Sequence, residues 1–166
     1  MWLRSSKADA PPALLCMALA ATLSGCGSDV NQQSVVTGLT LDCQVFQSTT
    51  PNVGVNRIFD LDLGGRTCSA SGCHSVFGSS GGAFKIYPNA EPNTFEMQAN
   101  YLAAKGFANL DLAENSKLLL EPLAGAQSIV GPHTGGDIFP DSDDTHYRTI
   151  YRWIAARIQG PSKCFP

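Results

Sequence analysis

The sequence predicts one small, mostly helical domain threaded with long loops. Three observations carry this. Near the C-terminal end, Tyr147, Ile150, Tyr151, Ile154 and Ile158 recur at helical spacing and draw one apolar stripe. No segment shows the sustained apolar–polar alternation of a half-buried strand. Sixteen glycines and ten prolines among 166 residues cut the chain into short elements joined by loops. Loops that long need something to pack on in a compact domain.

The N-terminal segment stands apart from that domain. Arg4 and Lys7 precede the uncharged, apolar run 13–23, which suits the core of a signal peptide and is too short for a membrane-spanning helix. Leu23-Ser24-Gly25-Cys26 follows directly and resembles the bacterial lipobox, in which small residues precede a cysteine that is lipidated and becomes the mature N-terminus. The resemblance implies a signal peptide over 1–25, a lipid on Cys26 and a place in the bacterial envelope, with the acyl chains as the membrane attachment. Residues 26–38 are polar and unpatterned, a tether ahead of a domain over 39–166.

Within the domain, residues 39–46 suit an edge strand. A helix is expected from 49, with Pro51 in its first turn, Val55, Ile58, Phe59 and Leu61 near one face, and Gly64-Gly65 ending it. Residues 68–82 are small and rich in Gly and Ser, hence a loop. Short helices follow over 96–104 and over 116–123, the latter capped by Ser116. The terminal helix takes Ser142 and Asp143 as cap oxygens and stops at Gly160-Pro161.

Composition narrows the function. A hydrophobic share of 43% excludes wholesale disorder, and 11 basic against 14 acidic side chains exclude nucleic-acid binding through a basic face. No paired acids or nucleophile–base arrangement of a hydrolase is recognisable; the cluster Asp141, Asp143 and Asp144 sits at a helix start, where it serves as cap and dipole partner. The chain is therefore not expected to be an enzyme. Six cysteines in so short a chain are the informative count, because structural cysteine pairs belong to oxidising compartments.

Cys68-Ser69-Ala70-Ser71-Gly72-Cys73-His74 is the centre of the functional reading. Covalent attachment of haem needs two thiols that reach the two vinyl groups, and an imidazole directly after the second to bind iron. The usual motif has two residues between the thiols. Four stand here, which resembles the longer Cys-x4-Cys-His variant of some c-type cytochromes. The four are small, so the longer loop can bulge past a porphyrin edge. Two other readings are open on this motif: a Cys68–Cys73 disulfide beside a surface His74, and a partial metal site completed by His133 or His146.

The order of features around the motif resembles a small class I-like cytochrome c domain, in particular the planctomycete-type cytochrome c domains of bacterial envelope proteins. The pieces that carry the resemblance are Gly81-Gly82, Ser116-Lys117-Leu118-Leu119-Leu120-Glu121-Pro122-Leu123, His133-Thr134-Gly135-Gly136, and Tyr147 through Trp153-Ile154, over about residues 46–158. It implies a helical domain packed around one covalent haem c, held by Cys68 and Cys73 with His74 as proximal iron ligand. It also places the distal ligand on the loop after the middle helix. His133 is there, among Gly131, Gly135 and Gly136, which let backbone approach a porphyrin. Met97 and His146 are the other candidates. Met97 precedes the middle helix and reads as a core residue; His146 lies beside the apolar stripe and reads as a solvated first-turn residue. In such domains the first and last helices pack together, which implies a Cys43–Cys164 disulfide. Bis-His iron has both axial positions filled, so the function expected is electron transfer with redox partner proteins. A haem-free, disulfide-stapled lipoprotein that acts as a binding or assembly module is the alternative, and a haem enzyme or gas sensor a third.

Overall fold

The computed structural model describes residues 38–125 and 133–165. The signal segment, Cys26, nearly all of the tether and Gly131 lie outside the described residues. The described chain is helical with little strand, as expected. Strand β1, Leu39–Thr40, pairs antiparallel with β2, Ile158–Gln159, Leu39 opposite Gln159 and Thr40 opposite Ile158. Between them run α1 (Cys43–Phe46), α2 (Val55–Ile58), α3 (Phe95–Gly106), a 3-10 turn (Ala113–Asn115), α4 (Lys117–Leu120) and α5 (Thr145–Ala155). Among the described residues no helix is long and apolar enough to cross a membrane.

Several boundaries differ from expectation, each for a local reason. The edge strand stops after Thr40 because Asp42 caps a helix instead, its carboxylate accepting from the amides of Gln44 (2.8 Å) and Val45 (3.4 Å). The helix expected from 49 begins at Val55. Ahead of it the chain turns back on itself at Gly54, where a Cβ would stand 1.6 Å from the Ser48 carbonyl oxygen. Ser116 precedes α4, but its hydroxyl accepts from the Asn109 amide (2.9 Å) and caps no amide of that helix. The cap of α5 is Asp144, not Ser142 or Asp143; it accepts from His146 (2.8 Å) and Tyr147 (3.0 Å). Ile158 continues the stripe in sequence but belongs to β2, since α5 ends at Ala155.

The core forms around Phe46, fully buried, whose ring meets those of Trp153 (5.1 Å), Tyr101 (5.5 Å) and Phe59 (6.1 Å). Burying a ring of that size contributes on the order of 2–3 kcal/mol. From α5, Tyr147, Ile150, Trp153 and Ile154 face inward, while Tyr151 is half-buried under the Arg148 guanidinium. Trp153 Nε1 donates to the Asp42 carbonyl (2.8 Å) and the Tyr101 hydroxyl to that of Leu41 (2.7 Å). Both bonds tie the segment after β1 to the long helices. A disulfide joins Cys43 to Cys164, with Cα atoms 5.8 Å apart, and fastens α1 to the segment beyond β2. This is the pairing expected.

Candidate functional site: two parallel histidines and a thiol loop

The loop after α2 carries Cys68, Cys73 and His74, and its backbone closes on itself. Ser69 donates to the Phe59 carbonyl, Cys73 to Ala70, and His74 back to Cys68, each at 2.9 Å. The four small residues between the thiols thus form a turn that brings its ends together. Beyond it, Ile86 donates to the His74 carbonyl (2.8 Å) and receives the Val76 amide (2.9 Å), so His74 is held on a short parallel bridge.

The imidazole of His74 is fixed as firmly as its backbone. Nδ1 lies 3.0 Å from the Gly81 carbonyl oxygen and 2.9 Å from that of Phe84. Carbonyls only accept, so Nδ1 carries the proton and Nε2 keeps a free lone pair. Burial holds the His74 pKa below its ordinary value; His133 and the Lys85 cation push the same way, against the two carbonyls. Phe84 packs edge-on against the ring at 4.9 Å and continues into Phe59 and Phe107. Gly81 takes φ +86°, and a Cβ there would stand 2.7 Å from His74 Nδ1 and 2.3 Å from the Cys73 carbonyl oxygen. No other residue fits this close approach.

His133 is built the same way. Its Nδ1 lies 2.9 Å from the Gly136 carbonyl oxygen, which again leaves Nε2 as the bare nitrogen. A Cβ on Gly135 would meet His133 Cε1 at 2.8 Å. The ring stands parallel to that of His74, 7° between planes and 5.9 Å between centroids.

Cys68 and Cys73 are free thiols, both half-buried. Burial is the largest cause that pushes the Cys68 thiol up to about 11, and the neighbouring Cys73 adds to it. The other two ligand candidates are engaged elsewhere. Met97 is buried in the core on the first turn of α3. His146 sits on the first turn of α5, its Nδ1 3.6 Å from the Asp144 carboxylate.

One contributor carries no signal in the sequence. The Lys85 ammonium donates to the carbonyls of Ser75 (3.4 Å), Gly78 (2.9 Å) and Ser80, stitching the loop that follows His74. A lone lysine in a loop reads as a solvated charge until the loop is folded around it.

Two imidazoles whose Nδ1 atoms face backbone carbonyls can offer their Nε2 atoms to a transition-metal centre, and those carbonyls are the outer partners that ligating histidines use. Compared with known proteins, the chain matches no family model, no curated protein and no solved structure.

Proposed function

We propose that this chain is a monohaem c-type cytochrome, lipid-anchored in the bacterial envelope through Cys26, that carries electrons between redox partner proteins. In this reading Cys68 and Cys73 would hold haem c through thioethers, and His74 and His133 would bind its iron. The observation that carries it is the His74–His133 pair. The two ring centroids lie 5.9 Å apart, and both imidazoles would serve as nitrogen donors to the haem iron. The donor set fits as well: both thiols are free, Cys73 directly precedes His74, and each imidazole has its Nδ1 proton occupied by a carbonyl.

When bound, haem supplies a one-electron couple. The chain's own contribution is positional. The carbonyls of Gly81, Phe84 and Gly136 fix both imidazoles in one tautomer, and Phe84, backed by Phe59 and Phe107, packs against the His74 ring. With His74 and His133 both holding the iron, no position would be left open for oxygen or peroxide, which favours electron transfer over oxidation of a substrate. The Cys43–Cys164 disulfide agrees with an oxidising envelope compartment.

A pyridine haemochrome spectrum of denatured protein, made in a host that matures c-type cytochromes, tests the proposal. Haem retained after acid–acetone extraction is the expected result. Its absence, with Cys68 and Cys73 recovered as free thiols or as a disulfide, overturns the proposal in favour of a haem-free stapled lipoprotein.

A further inference from the structure

The segment that leads into Cys68 carries a guanidinium across to the other half of the site. Residues 62–66 close a tight turn. The Gly65 amide donates to the Asp62 carboxylate (2.6 Å) and the Leu63 amide to the Arg66 carbonyl (2.8 Å), with Gly64 and Gly65 both at positive φ. Arg66 leaves that turn two residues ahead of Cys68. Its side chain then lies directly on Gly136, in the loop of His133. A Cβ on Gly136 would stand 1.9 Å from Arg66 Nη1, 2.7 Å from Cζ and 3.0 Å from Nη2. Only a residue without a side chain lets the guanidinium settle there. Gly136 is also the residue whose carbonyl orients the His133 ring.

The guanidinium is positioned but unpaired. Asp62 opens the same turn and Asp137 follows Gly136, yet neither forms an ion pair with it. Among the described residues it has no carboxylate or carbonyl partner. Lys85 differs, since its ammonium is bonded to three carbonyls of the loop that follows His74. Arg66 instead reaches from one loop of the site to the other.

In the proposed function the porphyrin would separate the loop of Cys68 and His74 from the loop of His133. A side chain that runs between the two then passes the porphyrin's edge, and that edge carries two ionised groups, the propionate carboxylates. A guanidinium offers a planar fork of N–H donors that matches a carboxylate and stays charged at every working pH. We infer that Arg66 binds a haem propionate where the two loops meet, as a positioning residue for the prosthetic group. The inference rests on the haem proposal. Its second consequence is electrostatic: a positive charge near the iron disfavours the ferric state and raises the potential.

Resonance Raman spectra and redox titrations of the full chain, matured with haem, test this on the unmodified protein, Arg66→Gln and Arg66→Lys. In Arg66→Gln the propionate bending mode should shift and the midpoint potential should fall, because a positive charge is gone. Arg66→Lys should hold the potential near that of the unmodified protein while still shifting the mode, because the charge stays and the fork is lost. In the unmodified protein one propionate should stay ionised as pH falls past the ordinary carboxylate range, since the guanidinium favours the ionised form. That measurement depends on no variant. A mode unmoved in Arg66→Gln, whatever the potential does, overturns the assignment, as do two propionates that titrate as ordinary carboxylates in the unmodified protein. Either result leaves the haem proposal standing. A haemochrome spectrum of the same preparations reads that proposal separately, and absence of covalent haem overturns both.

Discussion

The imidazole of His133 lies parallel to that of His74, 5.9 Å away, although α3 and α4 intervene between them in the chain. Each ring is oriented by backbone carbonyls of its own loop, His74 by Gly81 and Phe84 and His133 by Gly136. The pair is therefore arranged by the fold itself. A site whose donors are held in place spends less of its binding energy on ordering them.

Gly81 is the position where this arrangement is least tolerant. Gly81→Ala adds a methyl 2.3 Å from the Cys73 carbonyl oxygen and forces φ +86° on a residue that avoids it. The expected cost is about 2 kcal/mol or more, read as a lower urea midpoint with an unchanged slope. Gly82→Ala is the control, since nothing lies within 4 Å of a Cβ there. It keeps only the strain of its own φ of +57° and should lose clearly less.

Lys85→Met removes the ammonium that bonds the carbonyls of Ser75, Gly78 and Ser80 while keeping much of the side chain's bulk. A loss of roughly 1–3 kcal/mol is expected. Amides 76–82 should exchange with solvent faster while those of α5 change little. Uniformly faster exchange throughout the domain would show that Lys85 acts on global stability and not on the loop.

Much of the helical layout was legible because it rests on periodicity and punctuation. The stripe on α5 follows from spacing, whereas the helix expected over 116–123 is only Lys117–Leu120 and ends ahead of Pro122. What was not legible depends on contacts far away in sequence. Asp42 caps a helix where apolar content suggested a strand, and Ile158 leaves the stripe to pair with Thr40. At the site, Cys68, Cys73, His74 and His133 were visible as residue types at telling positions, as was the Cys43–Cys164 pairing. Lys85, Phe84 and the Gly81 carbonyl were invisible, because their roles exist only once residues 75–86 fold back over His74.

The disulfide should matter most to global stability. It spans 121 residues, and in the chain-entropy model a loop of that length contributes about 4–5 kcal/mol. Cys43→Ala/Cys164→Ala should lower the urea midpoint by a corresponding amount, and non-reducing peptide mapping of the native chain should recover the two segments joined.

Raising the pH should find the Cys68 thiol in the haem-free chain. Its pKa is pushed up from 9.0 to about 11, so near pH 8 its thiolate fraction, and with it its alkylation rate, should be ~100-fold below that of an unperturbed thiol. The sign for stability follows: the folded state holds this proton more tightly than the unfolded one, so the contribution is whole below pH 9.0 and is lost as pH climbs toward 11. Alkylation at the unfolded rate at pH 8 would show that the thiol is not buried.

The axial ligand decides between carrier and enzyme, and three variants separate the candidates. If His133 is the distal ligand, His133→Ala leaves haem attached through Cys68 and Cys73 but frees one coordination position, so the ferrous protein should bind carbon monoxide readily where the unmodified protein does not. Met97→Leu should leave the spectrum unchanged, because Met97 is 2% exposed within the core and leucine nearly matches its volume. His146→Ala should also leave it unchanged, since that ring faces Asp144 at the start of α5. Two imidazoles give a lower potential than an imidazole and a thioether, because thioether ligation raises it. The unmodified protein should therefore titrate at a lower potential than a His/Met cytochrome and show no thioether-to-iron band at the red end of the visible spectrum. Such a band, lost in Met97→Leu, would move the ligand to Met97. Ready carbon monoxide binding by the unmodified protein would instead mean that the sixth position is open, and the function would then be that of a haem enzyme or gas sensor.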